Sequence, residues 1–336
     1  MNRPIFALFA LTFALIAQIP VSAQERVVVG TLRQSDNGAL FLAAAQGYFK
    51  AEGLDVDMTA YRSDKDVVDA LALGAADFGL ATFTPSAFSH AGHGLIKAVA
   101  AQVSEKRGYE GNMIVASNMA YAKGLRKAEN LAGKSVAISQ LGSVYHYQLA
   151  QIANAKNFDF KSIVLKPLQT IDAMARAVGT AKVDAAIMPA VYAREVMLAD
   201  HGKLVGWYSE IGEQELGALF VNSKMIKTKR GIVEKFVRAY RRGAADYAQM
   251  VRYDRGGKRM ANLRTREIAT VIARYVYPGR RLGDAAAAVE SGSFYMDPQA
   301  SLDTADVERQ VEWYKAQGLI DKSIAPASIV DTSFSK

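Results

Sequence analysis

One order of secondary structure occurs twice in the chain, and this repetition is the feature that most limits its fold. In the first copy, a strand at 27–30 leads through the loop 31–38 into an almost wholly apolar helix, and a further strand, helix and strand follow as far as Pro85. The second copy begins at Lys134 and ends near Met188 in the same order. Strands that alternate with helices of this length form mainly parallel sheets with helices on both faces. The sequence therefore predicts two α/β sheets.

The loops that follow the strands are the expected place for a ligand. In open α/β sheets, ligands bind beyond the carboxyl ends of the strands, where helix N-termini carry unpaired N–H groups. If the two rows of loops face each other, the gap between them is a cleft. The candidate ligand-binding residues lie in four of these loops: Gln34, Ser35 and Asn37; Thr82, Phe83 and Thr84; Gln140, Gly142, Ser143 and Tyr145; Pro189 and Tyr192.

Several of these side chains have a second interpretation. Ser143 is the best candidate for an anion site, because it can cap a helix whose next N–H groups point into the cleft, but it can also be a plain N-cap. Phe83 can equally be an ordinary core residue. Arg33 can form bidentate hydrogen bonds with a carboxylate or sulfonate, or it can be an exposed surface charge.

The histidines do not indicate a metal site. His90 and His93 have helical spacing but no acidic ligand set nearby. His146 can touch a ligand or lie on the surface. No cofactor is expected, and the motifs of phosphate-binding loops, serine hydrolases and zinc peptidases are absent from the sequence.

The N-terminus predicts export from the cytoplasm. Arg3 precedes an apolar run from Ile5 to Ile19, and small residues at 21–23 form a cleavage site. We expect a signal peptide at 1–23 that is cleaved near Ala23 and a mature chain in the periplasm; the alternative is an uncleaved anchor. The chain has no cysteine, which excludes disulfides, thiolate metal sites and cysteine nucleophiles.

The net charge of +8 is unevenly distributed along the chain. The segment 224–281 contains 17 basic residues and four acidic ones. Export argues against nucleic acid as a partner for this stretch. It can be a solvated helix face, or it can contact anionic lipid headgroups or a permease.

The part of the chain after the second copy predicts a return to the first sheet. A strand near 218–222 precedes a long helix with an apolar stripe from Ile232 to Val251, and helices near 263–275 and 304–317 follow. This order predicts a first lobe that begins at 24–115, a second lobe at 116–220, and a return to the first lobe over 221–336. The crossings near 114–116 and 220–222 are expected to act as hinge strands.

Three stretches of the sequence carry a family resemblance. Residues 46–56 (QGYFKAEGLDV), 130–138 (NLAGKSVAI) and 329–334 (IVDTSF) resemble the periplasmic solute-binding proteins of nitrate, sulfonate and taurine importers, a family that includes relatives of the thiamine-pyrimidine synthesis proteins. The resemblance implies a two-lobed, type II periplasmic binding protein (a Venus flytrap). It also implies that a monomer delivers a small-molecule solute to an inner-membrane ABC permease.

The function predicted from these features is the capture of a small organic anion, a sulfonate or a carboxylate with or without an aromatic ring. Nitrate, an alkanesulfonate, taurine, an aromatic carboxylate and a pyrimidine all remain open as ligands. An enzyme or a ligand sensor on the same fold is the alternative. An enzyme needs a titratable group buried in the cleft, and the four loops offer only Asp36. The pyrimidine-synthesis relatives use a cysteine-rich iron motif, which this chain lacks.

Overall fold

The computed structural model describes residues 24–251 and 259–334 of the chain. The predicted signal peptide at 1–23 lies outside the described residues. The described parts contain 12 strands and 13 α-helices, arranged around two five-stranded sheets and one small two-stranded sheet.

The first sheet is built from the N-terminal copy of the repeat plus one strand from the returning chain. In spatial order its strands are β2 (Leu54–Ala60), β1 (Glu25–Thr31), β3 (Phe78–Thr82), β12 (Gly217–Asn222) and β4 (Ile96–Ala101). Strand β1 is parallel to β2 and β3, whereas β12 is antiparallel to both of its neighbours. Four strands therefore run in one direction and β12 runs in the other.

The second sheet has the same arrangement. In spatial order its strands are β8 (Val164–Pro167), β7 (Ser135–Ile138), β9 (Ala185–Pro189), β6 (Asn112–Ser117) and β10 (Gly202–Trp207). Strand β6 is the one that runs against the others. The predicted duplication and the mainly parallel character of both sheets are confirmed. We call the part around the first sheet lobe 1 and the part around the second sheet lobe 2.

The chain crosses between the lobes through a pair of two-residue strands. Strands β5 (Ser104–Glu105) and β11 (Gln214–Glu215) are antiparallel and form the small sheet. The hinge strands expected at 114–116 and 220–222 instead lie within β6 and β12, inside the two large sheets. The expected lobe boundaries at 115/116 and 220/221 thus cut through strands, and the crossings lie about six to ten residues earlier.

Helices cover both sheets. Those packed with lobe 1 are α1 (Gly38–Ala45), α2 (Tyr48–Ala51), α3 (Asp64–Leu73), α4 (Pro85–Gly92), α9 (Ser223–Thr228), α10 (Arg230–Ala248), α11 (Leu263–Val276), α12 (Leu282–Gly292) and α13 (Thr304–Ala316). Those packed with lobe 2 are α5 (Asn118–Ala122), α6 (Val144–Ala155), α7 (Ile171–Gly179) and α8 (Ala190–Leu198).

The apolar stripe of α10 buries the helix against lobe 1. Phe236 stacks on Phe78 of β3 with ring centroids 3.9 Å apart, and Tyr240 and Tyr247 are fully buried. Each large apolar side chain buried in this way contributes about 1.5–3 kcal/mol. Gly243 permits the close approach of α1, because a Cβ at this position would lie 2.1 Å from the carbonyl oxygen of Ala39.

Two C-terminal helices also touch lobe 2. Trp313 of α13 makes an edge contact with Tyr147 of α6 at a centroid distance of 5.2 Å. The C-terminal residue of α12, Gly292, lies against Val191 in the first turn of α8. The sequence pattern predicted α13 but not α12. The return of the chain therefore braces one lobe against the other.

The equivalent helices α3 and α7 end differently in the two copies. Gly74 follows α3 in the left-handed region at φ 76°. Gly179 is still helical, and the left-handed residue that follows α7 is Ala181 at φ 53°. The helix of the second copy therefore ends one residue later, and its left-handed turn residue is an alanine.

In the described part of the basic stretch at 224–281, most of the arginines contact a carboxylate, a carbonyl oxygen or an aromatic ring. Arg238 bonds to Glu52 at 2.7 Å, Arg264 to Asp246 at 3.4 Å, and Arg242 lies 3.9 Å from the ring centre of Tyr48. These contacts favour the solvated-face interpretation. Within 24–251 and 259–334, no helix is both long and apolar enough to cross a membrane.

Candidate ligand-binding cleft

The loops of the two lobes meet at Gly142. The hydroxyl of Tyr314 donates to the carbonyl oxygen of Gly142 at 2.9 Å and to that of Phe83 in lobe 1 at 3.4 Å. Gly142 has φ +80°, and a Cβ there would lie 2.6 Å from Cγ of Pro85. The two rows of loops therefore face each other, and the lobes touch at this edge of the cleft.

Tyr145 is a largely buried side chain of lobe 2 that follows the Gly142 turn and packs with the core of that lobe. It lies in the first turn of α6 and is only 8% exposed. Burial raises its pKa well above the usual value, and the carboxyl groups of Asp36 and Asp64 and the phenol of Tyr192 raise it further. Its hydroxyl forms no hydrogen bond within the described residues, and its oxygen is not one of the fully buried polar atoms.

Asp36 contributes a carboxyl group from the first loop of lobe 1. It lies in the 3₁₀ turn Ser35–Asn37 between β1 and α1. Although the residue as a whole is half-buried, its Oδ1 atom is buried and has no hydrogen-bond partner. Burial, followed by repulsion from Asp64, raises the pKa of Asp36 to about 7.

Asp64 supplies a second carboxyl group that the sequence did not indicate. It is the first residue of α3, and its Oδ1 accepts the N–H of Thr82 at 2.8 Å. Burial raises the pKa of Asp64 despite this hydrogen bond. The loop after β2 opens on the same edge of the sheet as those after β1 and β3, because all three strands are parallel. The predicted parallel order of these strands would have placed Asp64 at this edge of the sheet.

Lobe 2 presents two helix N-termini at the cleft. Ser143 caps α6 by accepting the N–H of His146 at 3.4 Å, as one of its two interpretations predicts. Pro189 precedes α8, and no side chain caps that helix. Tyr192, in the first turn of α8, is half-buried. Its burial raises its pKa to about 12, with smaller effects from nearby groups that include Tyr277 and Asp36.

The side chains of three residues that were predicted to bind ligand make contacts within lobe 1. Asn37 is 1% exposed; its amide donates to the carbonyl of Leu32 at 2.9 Å and its oxygen accepts from Gln102 at 2.6 Å. The ring of Phe83 is fully buried in the core of lobe 1 beside Phe88. Thr84 is buried and caps α4. Their side chains hold the loops in place.

The other predicted residues differ in exposure. Gln34, Gln140 and Arg33 are exposed, whereas Ser35, Thr82 and Pro189 are half-buried at the loops.

His146 is buried, and its Nδ1 accepts the N–H of Gly142 at 3.0 Å. Burial lowers its pKa. This histidine therefore shapes the Gly142 turn from inside lobe 2.

Two further carboxyl groups lie in the small crossing sheet. Glu105 Oε1 accepts the N–H of Asn112 at 2.8 Å, and Glu215 accepts from Ser104 at 3.1 Å. Burial raises the pKa of each glutamate to about 8. Sequence patterns gave no sign of this pair, since each lies in a strand of only two residues. No group of three or more potential metal ligands occurs in the described part of the chain.

The family model described as "NMT1/THI5 like" matches residues 34–250. The chain belongs to this family. The match confirms the resemblance found in the sequence and spans both copies of the repeat. No curated protein sequence matches the chain significantly.

Solved structures with the same fold cover nearly the whole chain. The periplasmic aliphatic sulphonate binding protein SsuA from Escherichia coli matches with a TM-score of 0.70 and 15% identity, over 92% of each chain. The alkanesulfonate-binding protein SsuA from Xanthomonas axonopodis pv. citri, bound to MOPS, matches at 0.66 and 17%, over 93% of this chain and 100% of the other. The periplasmic nitrate-binding protein NrtA from Synechocystis PCC 6803 matches at 0.65 and 11%, over 93% and 87%. The two-lobed periplasmic binding protein fold is thereby confirmed for this member of the family.

Proposed function

We propose that the protein is the extracytoplasmic solute-binding component of an ABC importer, and that it holds a small organic anion between its lobes. Family membership and the fold of the sulfonate- and nitrate-binding proteins support this role. The observation that carries it is that the loops of the two lobes face each other and meet where the Tyr314 hydroxyl bonds to the carbonyl oxygens of Gly142 and Phe83.

The anionic end of the solute fits the lobe 2 side of the cleft. The first-turn N–H groups of α6 and α8 attract negative charge, and both helices begin at the cleft. Ser35 and Thr82 can add hydrogen bonds from the opposite lobe. Tyr192 can pack against the organic part of the solute.

Closure would occur about the two crossings between the lobes. We place the moving connections at 106–111 and 208–213, next to β5 and β11, and the lobe boundaries within them. Opening separates the Gly142 turn from Pro85, and closing restores the contact. The closed protein would then dock transiently, as a monomer in the periplasm, on an inner-membrane permease.

An enzyme on this scaffold would use the acid pair Asp36 and Asp64. A pair of buried carboxyl groups in a cleft is a feature that acid–base chemistry also uses. The two functions give different outcomes when a bound solute is recovered: a binding protein returns it unchanged, and an enzyme returns a product. Mass spectrometry of the solute after prolonged incubation decides between them.

A thermal-shift screen tests the proposed function. The panel contains nitrate, ethanesulfonate, taurine, 4-methylbenzoate and 4-aminopyrimidine. A solute at 100 times its dissociation constant stabilises the folded protein by about 2.7 kcal/mol.

We expect at least one organic acid of the panel to raise the melting temperature. Tyr192→Ala should reduce this shift, whereas Tyr121→Ala, a half-buried tyrosine on α5 of the same lobe, should retain it. No shift with any organic acid, or an equal loss in both variants, would contradict the proposal.

A further inference from the structure

A groove lies at the end of lobe 1 that is opposite the cleft. Strands β1 to β4 run in one direction and point their carboxyl ends at the cleft. The groove is lined instead by residues at the starts of β3 and β4 and at the ends of α3 and β12, together with α9. Its volume of about 690 Å³ is that of a small-molecule site. The groove is therefore separate from the solute cleft.

The groove carries an excess of positive charge. Lys224, Lys227 and Lys229 line it, and all three are exposed. Their ammonium groups form no ion pair with any residue that the structure describes, unlike most arginines of the same basic stretch. The acidic residue among the described lining is Asp77, whose carboxylate already accepts the N–H of Val28 at 2.9 Å. A concave surface lined by charges of one sign attracts a ligand of the opposite sign.

Ser223 supplies an independent observation at the wall of this groove. The residue lines the groove and is only 8% exposed, and its Oγ atom has no hydrogen-bond partner in the described parts of the chain. Its backbone N–H bonds to the carbonyl oxygen of Leu95 at 3.0 Å, which fixes the residue in place. A serine hydroxyl can rotate to donate to an anion. The wall therefore holds an unused donor next to the three lysines.

The groove also has an apolar side. Leu73, the last residue of α3, is 85% exposed, and Leu95 is 44% exposed. A hydrocarbon chain that covered these two leucines would remove apolar surface from water. Within the described lining there is no aromatic residue and no arginine, although these residue types are enriched where proteins bind one another. This composition favours a small amphiphilic anion over a protein partner.

We propose that this groove is a second binding site and that its ligand is an amphiphilic organic phosphate. The phosphate group lies at the three lysines, and the hydrocarbon chain lies along Leu73 and Leu95. A phosphate monoester carries about two negative charges at neutral pH, and lysine binds phosphate as a point charge. The ligand is either a soluble ester or the headgroup of a phospholipid, because both present a phosphate beside hydrocarbon. Every residue of the described lining belongs to lobe 1, so binding does not require closure of the cleft.

Calorimetric titration with hexyl phosphate tests the proposal, and inorganic phosphate and hexanol serve as its two separate halves. We expect hexyl phosphate to bind at least tenfold more tightly than inorganic phosphate, since burial of about two methylene groups is enough for this difference. Hexanol alone should not bind measurably. Affinity for hexyl phosphate should fall as the salt concentration rises, and a solute in the cleft should leave it unchanged.

A paired substitution of lysines tests the charged side. Lys224→Gln combined with Lys227→Gln should weaken the binding of hexyl phosphate at least tenfold, at about fivefold for each lysine. Lys166→Gln combined with Lys182→Gln removes the same charge from exposed positions of lobe 2 and should leave the affinity unchanged. All four side chains are exposed, and melting temperatures establish that both variants are folded.

A substitution of leucine tests the apolar side. Leu73→Ser should weaken the binding of hexyl phosphate at least threefold and leave that of inorganic phosphate unchanged. Leu198→Ser is the matched control, because Leu198 is also the last residue of a helix, is 87% exposed and belongs to lobe 2. It should bind both compounds as the unsubstituted protein does.

Vesicles distinguish the two sources of the phosphate. Sedimentation with phosphatidylglycerol vesicles, lost in the Lys224 and Lys227 variant and kept in its control, supports the site and identifies a lipid headgroup. Binding of hexyl phosphate without sedimentation supports the site and identifies a soluble ester. The inference is wrong if the unsubstituted protein binds neither, or if each variant and its control lose binding equally. The proposed function stands in either case, because the cleft shares no residue with the groove.

Discussion

Substitution of Gly142 should weaken solute binding by hindering closure of the cleft, beyond any effect that it has on the stability of the fold. In Gly142→Ala, the new Cβ would lie 2.6 Å from Cγ of Pro85 in the opposite lobe. Extra atoms in a closely packed contact cost about 1–3 kcal/mol. Because opening relieves this contact, the cost applies to the closed form and appears as weaker binding, by about 5- to 150-fold at 1.4 kcal/mol per tenfold.

A second cost of the same substitution applies to open and closed forms alike. Gly142 has φ +80°, and a residue with a Cβ in the left-handed region is destabilised by about 1–2 kcal/mol. Gly133→Ala is the matched control. It also lies in lobe 2 and has φ +72°, but a Cβ there would meet nothing within 4 Å.

The assay compares melting temperature with affinity for the best solute of the thermal-shift panel. Both variants should lose similar stability, a few degrees in melting temperature. Only Gly142→Ala should lose affinity. Unchanged affinity in Gly142→Ala, or an equal loss in Gly133→Ala, would refute the contact between Gly142 and Pro85 as part of closure.

Two other predictions concern hydrogen bonds and protonation. Tyr314→Phe removes a hydroxyl that bridges both lobes and should weaken solute binding about three- to tenfold, at about 1 kcal/mol for the lost hydrogen bond. The hydroxyl of Tyr240 bonds to Ala101 within lobe 1 at 3.0 Å, so Tyr240→Phe should lower stability but leave affinity unchanged. Equal affinities in the two variants would contradict this prediction. The buried glutamates Glu105 and Glu215, with pKa values near 8, hold protons that the unfolded chain releases above pH 5. The free energy of unfolding should therefore fall as pH rises from about 5 to 8, by up to about 1.4 kcal/mol per pH unit for each group, and then level off. Urea titrations at several pH values measure this slope, and Glu105→Gln should make it shallower; a slope that rises with pH over this range would contradict the assignment.

The order of the strands was predictable from the sequence because the repeat is regular. Strand β12 lies where the strand near 218–222 was expected, and α10 follows its apolar stripe. Helix α12 was missed because its core is four consecutive alanines between glycines, which give no amphipathic pattern. The crossings were misplaced because Asn112–Ser117 is buried throughout, and an apolar central strand resembles an apolar connection in sequence.

The site was only partly predictable, because a loop sequence does not fix where side chains point. Tyr145 and Tyr192 pack with the core of lobe 2, whereas Asn37 and Phe83 from the opposite loops point into lobe 1. Asp64 was not predicted because an acidic residue in the first turn of a helix is common and does not indicate a site, although the parallel order of the strands brings it to the same edge. Its shifted pKa arises from burial by chain segments that are distant in sequence.

The distance between the two lobes across the cleft most directly tests the claim that the lobes close on a bound solute. The chain has no cysteine, so Asp66→Cys and Asp172→Cys, both exposed near the starts of the equivalent helices α3 and α7, allow two spin labels to be placed uniquely. Pulsed electron spin resonance then gives the distribution of distances between them. Capture between two closing lobes predicts that a bound solute shifts this distribution to a shorter and narrower range. An unchanged distribution at saturating solute would contradict it.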